Sequence, residues 1–154
     1  MKPELRSFVL HLALATGMAV CTVPSARADA VTDWNLRSAD IVTASKLGTP
    51  PSVRVMALVQ SAVHGAVHAI APQGPAPRYA VAPAPGASAD AAIAAAHRAV
   101  FVKLLPAQQA SIDAAYQAAL ASVPDGTAKA AGIAVGEMAV ARVFALRADD
   151  TLVA

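Results

Sequence analysis

TPPSVRVMALVQSAVHGAVHAI, residues Thr49–Ile70, decides the fold class of this chain. Pro50 and Pro51 open a helix well, because a proline in the first turn gives up no hydrogen bond and already holds helical φ. From Ser52 to Ile70 only Gly65 weighs against helix. The polar residues Arg54, Ser61, His64 and His68 follow one another at spacings of seven, three and four, which places them on one narrow stripe with Gln60 at its margin. The rest of the circumference is apolar. A helix of this kind is covered on most sides by other helices, so the stretch predicts the central helix of an all-α domain.

The remainder of the chain reads as helices around it. Thr32 or Asp33 is placed to cap a helix from Trp34 to Lys46, closed by Gly48. Trp34 shares its face with Ile41 and Ser45 when Arg37 and Asp40 meet water, so it reads as a packing anchor and not as a stacking platform for a ligand. Ala71–Ala87 carries Pro72, Pro75, Pro77, Pro83 and Pro85, which forbids helix and central strand and predicts a long surface connection pinned at Arg78-Tyr79. Ser88 caps a helix from Ala89 to Leu105 with Ile93, His97, Val100, Phe101 and Leu104 on its apolar face. Pro106 opens the next, whose stripe is Ile112, Tyr116, Ala119 and Leu120, with Gln109, Asp113 and Gln117 facing away. The last runs from Thr127 to Ala148, and its Gly132 and Gly136 predict the close approach of a neighbouring backbone. The expected architecture is therefore all-α, about five helices in a bundle with one long Pro-rich connection.

Met1–Ala30 has the form of an export signal. Lys2 and Arg6 start it, Phe8–Val23 is mostly apolar, and Ala-x-Ala cleavage sites end at Ala28 and Ala30. The domain proper is then 31–154, located in the periplasm or secreted, with no stable membrane span after cleavage; the alternative is an uncleaved anchor. Cys21, the single cysteine, leaves with the leader, and with it any thiol chemistry. With 56% apolar and 14% charged residues the chain can bury a core. Its net charge of +2 includes the leader, without which nine basic residues face eight acidic ones, and no basic cluster points to nucleic acid.

Few residues offer chemistry. His64 and His68, four apart on one face, have a spacing that can hold a metal, but no nearby carboxylate or cysteine completes a ligand set. The plainer reading is a polar stripe facing solvent, a loop or another domain. His97 on an apolar face reads as a buried, hydrogen-bonded histidine. Ser61 has no assignable histidine and acid for a triad, and there is no glycine-rich phosphate loop. No catalytic, cofactor-binding or metal-binding residue is assigned from these patterns.

Asp33-Trp34-Asn35, Thr49-Pro50-Pro51, Arg54 through Val63, Ala66-Val67 and Ala69-Ile70 resemble the N-terminal region of bacterial vanadium-dependent haloperoxidase-like proteins of the type 2 phosphatidic acid phosphatase superfamily. Ala95-Ala96-His97-Arg98, Leu104-Leu105-Pro106, Gly132 through Glu137 and Arg147-Ala148-Asp149-Asp150 are similar to the same region. The chain departs from that pattern at His64-Gly65, where the family often carries Tyr-Asp, and at His68, where it carries Asn. The resemblance implies a peroxidase or phosphatase parent that holds vanadate or phosphate through Lys-x6-Arg-Pro, Pro-Ser-Gly-His and Ser-Arg-x5-His. None of these occurs here. The expectation is a truncated N-terminal helical scaffold, inactive alone and without its own cofactor, whose partner is the missing C-terminal catalytic bundle or a second copy. The alternative is a self-sufficient exported helical module that binds a protein. Either way, so few helices are a thin cover for Thr49–Ile70, and a marginal fold follows.

Overall fold

The computed structural model of the chain describes residues 30–148, so the leader before Ala30, its cleavage site at Ala28 and the segment after Ala148 lie outside the described residues, while the site at Ala30 falls on the first residue of the first helix. Within them the protein is all-α. Helices α1 (Ala30–Ala44), α2 (Thr49–Ile70), α3 (Ala89–Leu104), α4 (Gln109–Ala121) and α5 (Thr127–Leu146) form the bundle, and a 3₁₀ turn at Pro106–Gln108 leads into α4.

Three helix ends depart from the sequence expectation. Thr32 and Asp33 lie inside α1, where Asp33 faces the positive end of the helix dipole from the first turn and does not act as a cap. Lys46, and not Gly48, closes α1: it takes the left-handed conformation at φ 53, with its amide donating to the Thr43 carbonyl at 3.2 Å. Gly48 has an ordinary φ of −66 and instead precedes α2 as its N-cap. No side chain caps α2: Gly48 has none to offer, and Pro50 and Pro51 at the second and third positions carry no N–H to be capped. At α3 the expectation holds, with Ser88 Oγ accepting from the Ala91 amide at 3.2 Å. The last helix ends at Leu146, two residues before the expected Ala148.

The middle of the bundle belongs to α3, which packs against all four other helices. Residues Ala91 through His97 are buried without interruption, and a run of seven covers the whole circumference of a helix. This corrects the assignment of the centre to α2, which packs on α3 and α5 and turns another face outward. Period and apolarity alone count alanine and leucine alike. Alanine buries little area but lets neighbours come near, so the alanine-rich helix takes the crowded position. The cover over α2 is also better than expected: of its large apolar side chains only Val53 is exposed.

α3 and α5 run side by side in the same direction, joined at their starts by the Ser88 amide donating to the Ala128 carbonyl at 2.9 Å. A Cβ on Gly132 would strike the Ser88 carbonyl, and one on Gly136 the Ala92 carbonyl. Both glycines therefore serve the close approach read from the sequence. α4 buries Ile112, Tyr116 and Leu120 as expected. Asp113 does not face away; it pairs with Arg98 of α3 at 2.7 Å, and that guanidinium also lies 5.1 Å from the centre of the Tyr116 ring. Lys129 of α5 reaches back to the end of α4, donating to the carbonyls of Leu120 and Val123 at 2.8 and 3.2 Å.

Candidate functional site

Two places gather the residues that could carry chemistry. The first is the outer face of α2. His64 is exposed there and His68, one turn on, is half-buried; their ring centres lie 6.3 Å apart at 73°. The Pro-rich connection folds back onto this face through Tyr79. Its hydroxyl lies 2.9 Å from His64 Nδ1, and its ring meets that of His64 edge-on. Gly65 makes the seat, since a Cβ there would come within 3.1 Å of the Tyr79 carbonyl oxygen and 3.3 Å of its ring. A second tie, the Ala84 amide donating to the Ala69 carbonyl at 2.8 Å, fixes the return of the connection toward α3. Of the expected pin Arg78-Tyr79, it is Tyr79 that docks, while Arg78 is exposed.

The role of Gly65 escapes a reading of the sequence, in which it counts only as a small cost to helix. A glycine beside a histidine in mid-helix, followed by a connection with a single aromatic residue, is the signal that points to it. The other members of the polar stripe are not drawn into the cluster. Ser61 donates its hydroxyl to the Ala57 carbonyl at 2.8 Å, which leaves it engaged with its own helix and unactivated as a nucleophile. Gln60 donates to the Asn35 side chain at 2.7 Å and ties α2 to α1. Arg54 is half-buried about three turns before His64.

The second place is the buried centre. His97 is wholly shielded from solvent, with Trp34 stacked on it at 4.7 Å and 20° and Phe101 beside it. Its Nδ1 lies 2.8 Å from the Ile93 carbonyl, which can only accept, so the proton sits on Nδ1 and Nε2 carries a lone pair. That lone pair has no protein partner. Burial lowers the pKa of His97 to about 4, against a smaller upward pull from its bond to Ile93. His97 is thus a neutral, buried histidine of the bundle, and Trp34 is the packing anchor that its spacing suggested.

Among the described residues no group of three or more His, Cys, Asp or Glu is placed to hold a metal. Three basic side chains of α3 and α5 are engaged within the bundle. Arg98 is engaged with Asp113, Lys129 with the end of α4, and Lys103 with the face of Phe144 at 4.1 Å. Comparison of the chain with protein-family models, curated proteins and solved structures finds no significant match.

Proposed function

We propose that this chain is a helical scaffold, inactive by itself, of the kind that precedes the catalytic bundle in vanadium haloperoxidase-like and phosphatase-like proteins. One observation carries the reading: apart from His97, whose Nε2 has no partner, most of the polar side chains at the helix contacts are spent on holding the bundle together. Gln60 joins α2 to α1, Arg98 joins α3 to α4, Lys129 closes the end of α4, and Ser38 and Ser61 bond to their own helices. Groups committed in this way are not available to bind and release a substrate. The resemblance in Asp33-Trp34-Asn35, Thr49-Pro50-Pro51 and Arg54 through Val63 supports the choice of parent, and Met1–Ala30 supports export. The partner is a catalytic helical unit bearing the anion-binding motifs.

A second reading, an exported module that docks a protein partner, draws support from Leu36 and Val53, which stand 68% and 62% exposed. Assay of the purified chain for bromide oxidation with vanadate and peroxide, and for phosphate ester hydrolysis, tests the scaffold reading. Neither activity is expected, and calorimetry should find no stoichiometric vanadate. Turnover, or vanadate bound one to one, would overturn it. Reading the genomic DNA beyond the codon for Ala154 separates the two: a continuation encoding Arg-Pro and Pro-Ser-Gly-His favours the scaffold, and its absence favours the module.

A further inference from the structure

We infer that His64 and His68 form a binding site for one divalent transition-metal ion, with Tyr79 as the support that aims His64. The inference stands apart from the scaffold reading and rests on the geometry of the α2 face. Residues four apart on a helix project in the same direction with their Cβ atoms roughly 5–6 Å apart, a separation that lets two imidazoles converge on one ion. With a metal–nitrogen bond of about 2.0–2.1 Å the ion sits roughly 3 Å from each ring centre, so it can join rings whose centres are no more than about 6.5 Å apart. The observed 6.3 Å meets that limit. A bent nitrogen–metal–nitrogen angle draws the centres closer by about 1 Å, within reach of the side-chain torsions of two residues that both retain solvent exposure.

Tyr79 supplies what separates a site from two neighbouring histidines. Metal-binding histidines commonly donate their second ring N–H to an oxygen, which fixes tautomer and orientation. The Tyr79 hydroxyl stands 2.9 Å from His64 Nδ1, and a hydroxyl oxygen can accept there, leaving Nε2 of His64 with its lone pair free for a metal. The tyrosine is itself held, because its backbone and ring rest on Gly65. The exposure of His64 leaves the remaining coordination positions open to water. Two imidazoles select ions of the zinc, copper and nickel class over calcium or magnesium, with copper the tightest among them.

The test uses the full-length chain without a histidine tag, titrated with Zn²⁺ by calorimetry and with Cu²⁺ by electron paramagnetic resonance. One ion per chain is expected, with nitrogen coupling from two imidazoles in the copper spectrum. His64→Gln and His68→Gln should each weaken binding at least tenfold, and Tyr79→Phe about tenfold, with helical circular dichroism unchanged in all three. The double variant His64→Gln/His68→Gln accounts for ions held by His11 or Cys21. Undiminished binding in that double variant, two chains per ion, or no binding by the parent chain would overturn the site. Unchanged affinity in Tyr79→Phe would overturn the role of the tyrosine.

Discussion

The indole of Trp34 lies nearly parallel to the imidazole of His97, 4.7 Å from centre to centre, and both rings are closed off from water. This contact joins α1 to the middle helix of the bundle. It also sets the protonation state of the histidine, because a charge in that position would have to give up its hydration with no acceptor at Nε2 to receive it.

A pH dependence follows. The folded pKa of His97, about 4, lies below the ordinary value of 6.5, so between these limits the unfolded chain binds a proton that the folded chain refuses. The stabilising contribution is complete above pH 6.5 and is lost as pH falls toward 4. At about 1.4 kcal/mol per pH unit the loss is on the order of 3 kcal/mol. Urea unfolding of the parent chain and of His97→Leu at pH 7 and pH 4.5 isolates this group from the carboxylates that titrate in the same window. The parent should lose more stability than the variant over that interval; parallel losses would show that His97 does not titrate in this way.

Gly136→Ala should destabilise the bundle even though alanine is the better helix former by about 1 kcal/mol. The added methyl would collide with the Ala92 carbonyl and come within 2.9 Å of the Ala95 methyl, so α3 and α5 must separate. Loss of close packing along that seam should outweigh the propensity gain, with a net cost of about 1–3 kcal/mol read as a lower Tm. A Tm equal to or above that of the parent would mean that the two helices stand farther apart.

Lys46→Gly should have the opposite sign. Lys46 holds φ 53, a conformation that costs a residue with a Cβ about 1 kcal/mol and glycine almost nothing, and its side chain is exposed. Thermal melts should show a gain of about 0.5–1 kcal/mol, net of the entropy that glycine adds to the unfolded chain. Gly48→Ala is the matched comparison: φ there is −66 and nothing lies within 4 Å, so no strain is expected. Destabilisation by Lys46→Gly would argue against a left-handed closure of α1.

The sequence by itself determined the all-α class, the five helices, the Pro-rich connection, the cap at Ser88 and the reason for Gly132 and Gly136. All of these rest on properties local to the chain: periodicity, proline's missing N–H, a hydroxyl at a helix start, the absence of a Cβ. The stripe Ile112, Tyr116 and Leu120, and the burial of Trp34 and His97, were legible for the same reason. Only the tertiary structure decided which helix stands in the middle, because alanine and leucine score alike in a periodic pattern while differing in how near they let a neighbour come. It alone turned Asp113 toward Arg98 and gave the closure of α1 to Lys46 in place of Gly48. It alone brought Tyr79 across fifteen residues of chain to the His64 ring and seated it on Gly65. Contacts of that kind depend on where a flexible connection finds both an apolar seat and a hydrogen-bond partner, and no local pattern records the distance between them.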